Sequence, residues 1–316
     1  MDQRRLLNHK LNNVAQSAVL LGGMAGLLAL IGWIIAGAQG LVWTAVLGVV
    51  VLLFAPRVSP AVILRMYGAA PLGFHDAPGL HRVVSELSRR AELSAAPRLY
   101  YLPSPIMNAF TMGRRDDAAL VVSDALVRRL SARELTGVLA HEVSHIRNND
   151  MWVMGLADVV SRLTSILSLA GQLLILLSLP MILFGDAEIA LLPLALLAFA
   201  PTISALLQLA LSRAREHDAD LEAVRLTGDA RALASALEKL ERYQGGWIER
   251  VVLPGRRIPE PSLLRTHPPT EKRIRRLLEL EPARRPLRMP ADALAQWGPW
   301  APPRRHPRWH ITGLWY

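Results

Sequence analysis

Hydrophobic positions along this chain fall into two regimes. In four stretches, residues 15–36, 41 to about 64, 163–185 and 189–211, apolar side chains follow one another almost without a break, and each approaches the ~20 residues a helix needs to cross the hydrocarbon of a bilayer. The second is the weakest, because Pro56, Arg57 and Pro60 interrupt it. Elsewhere the apolar positions are periodic. Residues 81–93 and 229–243 repeat at helical spacing, residues 98–102, 107–111 and 118–122 read as short strands, Ser123 opens a helix that runs to Leu130, and residues 271–280 form a basic helix. The pattern predicts an α+β fold: a mainly helical domain with a small sheet, joined to four transmembrane helices in two hairpins. In chain order it divides into an N-terminal membrane hairpin (1–67), a first soluble part (68–150), a second membrane hairpin (151–211), a second soluble part (212–281) and a Pro/Arg/Trp-rich tail (282–316).

Composition supports lipid as part of the solvent. Of 316 residues 52% are hydrophobic and 20% charged, with a mean hydropathy of +0.25, too apolar for an ordinary soluble domain. Charge placement then gives an orientation. Arg4, Arg5 and Lys10 precede the first stretch, Arg57 and Arg65 follow the second, Arg147 precedes the third, and Arg213 and Arg215 follow the fourth, whereas the two tips, 37–40 and 186–188, hold no Lys or Arg. The positive-inside rule therefore expects a multi-pass protein of the cytoplasmic (inner) membrane with both termini in the cytoplasm. Ala36-Gly37-Ala38 resembles a signal-peptidase site, but the apolar stretch before it is long and a second follows at once, so an uncleaved anchor is expected. The net charge of +10 suits an anionic lipid surface. It does not suit nucleic acid, since no basic run is interleaved with stacking aromatics in the central region. Cysteine is absent, which removes disulfides and thiol chemistry.

The chemistry sits in one helix. Ser131 or Ala132 can open it, Leu135, Val138, Leu139 and Ile146 recur at helical spacing, Asn148-Asn149-Asp150 ends it, and within it stands His141-Glu142-Val143-Ser144-His145. Residues i and i+4 project from nearly one helix face, so both imidazoles can hold one Zn²⁺ with Glu142 beside the open position as general base. A third donor is needed. The segment 212–220, read as the start of a polar helix, offers Glu216, with His217 as a rival about 100° around the helix. Asp220, one turn beyond Glu216, could hold a ligand imidazole in its tautomer. The second hairpin lies between these segments, and an antiparallel pair returns the chain to the side it left, so the site is expected close to the bilayer surface. Asp158 and Arg162 require that the third helix climb well above the lipid or that their pair be sheltered among helices. Asn108 is a candidate for hydrogen bonding to a peptide laid along an edge strand, and His267, between Thr266 and Pro268, for donation to an oxyanion.

Four runs occur in order: Asn108-Ala109-Phe110-Thr111, the segment 134–146, the segment 212–220, and Thr266-His267-Pro268. Together they resemble the HtpX-type membrane zinc metalloproteases, gluzincins related to the CAAX prenyl endoproteases, over about residues 71–277. The resemblance implies a zincin-like domain, one zinc ion per subunit on His141, His145 and Glu216, Glu142 as general base, and His217 as a bystander. It also implies cytoplasmic quality control, with membrane-protein or unfolded polypeptide substrates. A processing protease for lipid-modified peptides and a non-catalytic scaffold with structural zinc are the alternatives.

Overall fold

The computed structural model describes residues 3–54, 60–184, 191–244 and 270–280. Its contacts divide the chain into two units, Val58–Met151 with His217–Tyr316, and Asp2–Arg57 with Trp152–Glu216.

In the first unit a four-stranded sheet runs in the order β1-β2-β4-β3, with β1 (Ala70–Pro71), β2 (Arg98–Leu102), β3 (Ala109–Arg114) and β4 (Asp117–Ser123). β2 and β4 are parallel, while β1 and β3 pair antiparallel to their neighbours. The three expected strands are present. β1 was not expected, because two residues ending in proline leave no alternation to read. β4 is buried on both faces, as a central strand should be: Leu120 and Val122 join the larger core, Ala119 and Val121 the smaller. The larger core is made with α3 (Pro78–Arg90), α4 (Asp124–Arg129), α5 (Ala132–Arg147), α8 (Ala230–Gln244) and α9 (Thr270–Glu279), and the smaller with α2 (Pro60–Met66). α3 starts earlier than its periodicity suggested. Pro78, which has no N–H to leave unpaired, is suited to a first turn.

The second unit contains α1 (Gln3–Phe54), α6 (Asp150–Phe184) and α7 (Leu191–Thr227), the last two reaching into the first unit at their ends. These are the three described helices long and apolar enough to cross a membrane, against four spans expected. The first is broken: Ala36 (φ −144°, ψ 24°) and Gly37 (φ 58°, ψ −141°) leave helical geometry at the expected tip. Beyond the break the arms press together so closely that a Cβ on Gly40 would lie 1.9 Å from the carbonyl oxygen of Gly32. The second arm ends at Phe54, about 25 Å of helix from Ala38. Its expected continuation to Leu64 is instead the separate helix α2, which opens on a proline.

Two further expectations change. α6 starts at Asp150, well before residue 163, and its Asp158–Arg162 pair, 2.8 Å apart, is exposed at 31% and 69% rather than sheltered among helices. α7 is one helix of 37 residues, so no new helix begins at Ser212. The switch from apolar to charged residues marks a change of surroundings along a continuous helix. Inside the unit Met24 packs with Met154, Ala157 and Leu211, and Ile31 with Leu197 and Ala200.

Candidate metal centre

Helix α5 is fastened at its first turn. Ser131 accepts from the Glu134 N–H and Glu134 accepts from the Ser131 N–H, a reciprocal cap that satisfies two backbone donors at the helix start. The Glu134 carboxylate also takes hydrogen bonds from Ser235 (2.6 Å) and Lys239 (2.7 Å) of α8. Burial alone would raise its pKa, but the bonds from Lys239, Ser235 and Ser131 outweigh it and hold the carboxyl at about 2. Along the rest of the helix Leu135, Leu139, Val143 and Ile146 are fully buried, His141 and Glu142 are buried with them, and His145 is half-buried. α5 is therefore a core helix, and its two imidazoles project from a rigid support.

The end of α5 supplies the first of two orienting carboxylates. Asn148 closes the helix, Asn149 adopts a left-handed φ of 56°, which asparagine tolerates better than most residues, and α6 starts one residue later. This abrupt turn returns the Asp150 carboxylate to His145, where Oδ2 lies 2.7 Å from Nδ1. The second orienting carboxylate is Asp220 of α7, whose Oδ1 lies 3.0 Å from His141 Nδ1. Asp150 accepts the Nδ1 proton of His145, and Asp220 pairs with His141 through the closeness of its Oδ1 to Nδ1. A carboxylate beside Nδ1 favours, on each ring, the tautomer with a bare Nε2.

Those two Nε2 atoms are 3.1 Å apart. With both protons on Nδ1 neither Nε2 has a hydrogen to share, and two lone pairs at this distance repel unless a cation lies between them. Tetrahedral zinc with Zn–N bonds of ~2.0–2.1 Å places two nitrogen ligands about 3.3 Å apart. Glu216 completes the set, for ligand atoms of His141, His145 and Glu216 all lie within 4.8 Å of one another. Two neutral imidazoles and one carboxylate fit a borderline-soft divalent ion. His217, the rival donor, is outside this group. Glu216 and Asp220 are both buried, which excludes the alternative of a solvated charged helix start.

Asp220 is itself anchored. Arg273 of α9 donates to it twice, Nη2 to Oδ1 at 2.6 Å and Nε to Oδ2 at 2.7 Å, with both side chains almost wholly buried. The buried Asp220 carboxylate is thus partnered by the Arg273 guanidinium on one side and lies against His141 on the other. Sequence reasoning did not single out Asp150 or Arg273. In the sequence Asp150 is part of a polar break and Arg273 one cation of a basic helix. A signal for Arg273 was present in its i, i+4 spacing with Leu277, the other buried residue of α9.

Of the remaining candidates, Asn108 stands at the entry to β3, an edge strand. Its N–H donates to Ser123 Oγ (2.8 Å) and its carbonyl accepts from the Ser123 N–H (3.0 Å), which leaves the half-buried side chain without a hydrogen bond among the described residues. His267 and the tail after residue 281 lie outside the described residues.

Residues 75–281 match Peptidase family M48. The chain is 35% identical over 289 residues to "Protease HtpX homolog" of Paraburkholderia phytofirmans, covering 85% of this chain and 97% of the relative. It is also 35% identical over 285 residues to the protein of that name from Pyrococcus furiosus, covering 84% and 95%. A fainter likeness, with TM-score 0.46 and 19% identity over 85% of this chain and 66% of the other, is to the crystal structure of S. mikatae Ste24p.

Proposed function

Since the chain belongs to Peptidase family M48 and is, like the HtpX homologs it matches, a membrane metalloprotease, we propose that its metal is one zinc ion held by His141, His145 and Glu216 in a zincin-like domain. The observation that carries this reading is the 3.1 Å approach of two Nε2 atoms whose rings are each held at Nδ1 by a carboxylate. Zinc bound there supplies Lewis acidity toward a peptide carbonyl and brings the pKa of its water toward ~7. Glu142 takes a proton as the water oxygen bonds to the carbonyl carbon, and returns it to the nitrogen as the C–N bond breaks. Asn108 and the outer edge of β3 hold the peptide in extended form. His267 donates to the developing oxyanion.

The substrates on this reading are membrane proteins or unfolded polypeptides, and the setting is quality control at the cytoplasmic face of the inner membrane. The bias of Lys and Arg away from both hairpin tips supports that orientation. Glu142→Gln tests the chemistry: the purified variant keeps zinc and loses casein hydrolysis, and a zinc-loaded variant that still cleaves casein would refute the role. Orientation is tested in this cysteine-free chain by single cysteines. Gln39→Cys reacts with an impermeant thiol reagent in intact cells, whereas Ser85→Cys reacts only after lysis, and the reverse labelling overturns the assignment.

A further inference from the structure

Helix α7, which delivers Glu216, contains a proline in its apolar half. Pro201 has no N–H, so the carbonyl four residues before it, that of Leu197, receives no bond from the helix itself. In lipid such a carbonyl costs more than in water, because no solvent is at hand to pair it. The neighbouring helix α6 supplies the missing donors. Ser168 Oγ donates to the Leu197 oxygen, Gln172 Nε2 donates to the same oxygen at 3.0 Å, and Gln172 also donates to Ser168 Oγ at 3.1 Å. Ser168 is fully buried. The helices touch closely here, since a Cβ on Gly171 would come within 2.9 Å of the Leu197 side chain.

A proline inside a continuous helix removes one bond of the ladder and acts as a hinge, and a hinge in this place is consequential. Leu197 and Glu216 are about 28 Å apart along one helix, so a small change of pitch or axial position at Pro201 displaces the carboxylate by far more than the ~0.2 Å tolerance of a metal–ligand distance. Leu-on-Leu packing does little to prevent that, because lipid tails are as apolar as the helix face they would replace. The polar bonds at Leu197 have one geometry. We infer that Ser168 and Gln172 are positioning residues for the metal centre: they clamp the helix at the Leu197 carbonyl that Pro201 frees and so set the register of the helix that carries Glu216. The inference rests on Glu216 as a zinc ligand.

The test is a cycle in which the clamp and the proline are removed separately and together, with zinc affinity read by competition with a chelator and melting temperature read on metal-free protein. Ser168→Ala with Gln172→Leu lowers zinc affinity about tenfold, the worth of two interhelical hydrogen bonds. Ser168→Ala alone, with Gln172 still on the carbonyl, falls in between and keeps the cycle readable if the double variant fails to fold. In a Pro201→Ala background residue 201 regains an N–H for Leu197, the hinge is gone, and the same double change costs at most about twofold. An equal loss of zinc affinity with and without Pro201, or a lower melting temperature with zinc affinity unchanged in every variant, overturns the inference while leaving the metal site intact. A wild-type chain that binds no zinc overturns both.

Discussion

Asp150→Asn isolates the carboxylate that the Asn148–Asn149 turn brings to His145. The 2.7 Å contact from Nδ1 to Oδ2 is a hydrogen bond to a buried, charged acceptor, worth about 1.5–3 kcal/mol when made to an ionised group. Asparagine keeps an acceptor oxygen but removes the charge, so part of that sum is retained. The imidazole becomes a poorer donor to the metal and is less firmly held in its tautomer, and zinc affinity falls about 10- to 100-fold. A second effect has a different signature. Asp150 is also the acidic residue of the first turn of α6, and losing its interaction with the helix dipole costs about 0.3–1 kcal/mol whether or not metal is present. Chelator competition measures the first effect and thermal melting of metal-free protein the second. Zinc affinity within twofold of wild type, together with a lower metal-free melting temperature, would reduce Asp150 to a helix-start residue and refute the argument that it orients His145.

Glu216→Ala lowers zinc content to a small residue of the wild-type value and His217→Phe leaves it nearly unchanged; metal analysis of the two proteins decides, and the opposite ranking assigns the ligand to His217. Arg273→Met leaves Asp220 buried without its guanidinium and lowers unfolding stability by about 3–5 kcal/mol, part of which Asp220→Asn restores in the double variant. If the single and double variants melt alike, the Asp220–Arg273 pair is not the source of the loss. Glu134 gives a pH dependence: its carboxyl is held at about 2 against an ordinary 4.5, so the stability it adds is complete above 4.5 and is lost as pH falls through about 2. Allowing for the half-exposed Lys239, Glu134→Gln costs about 2 kcal/mol at pH 6, and denaturation midpoints of the two proteins should converge as pH approaches about 2.

Local regularities were legible in the sequence. The five residues from His141 to His145 need only helical spacing to be read, the break at Ala36–Gly37 follows from a glycine-bearing tip between apolar arms, and β2 and β4 follow from β-rich runs. From spacing alone Glu216 was legible only as one of two donors, since it and His217 lie on adjacent parts of a helix; the resemblance chose Glu216, which is buried where His217 is half-buried. What escaped depends on contacts that periodicity does not encode. The charged residues from Arg213 onward suggested a new helix, although a change of environment leaves no mark on backbone geometry, and α7 runs through it. Arg273 meets Asp220 across 53 positions of chain, and Asp150 meets His145 only because Asn149 takes a left-handed turn.

The charges around the site explain why its parts are arranged this way. Glu142, Glu216, Asp150 and Asp220 are all buried carboxylates, and burying an ion costs several kcal/mol unless it is partnered. Arg273 offsets Asp220, and Asp150 and Asp220 each lie against an imidazole Nδ1. Both Nε2 atoms and a Glu216 carboxylate oxygen meet at one point, a donor set that suits a divalent cation. On the proposed assignment, two imidazoles and a carboxylate would leave a bound ion with one positive charge fewer than three imidazoles would, and so with less power to acidify water. Proton removal then depends more heavily on a base close by. Glu142, on the same buried helix as His141 and His145, is that base in the proposed mechanism, which is why a single Glu142→Gln exchange is expected to abolish hydrolysis while His141, His145 and Glu216 stay in place.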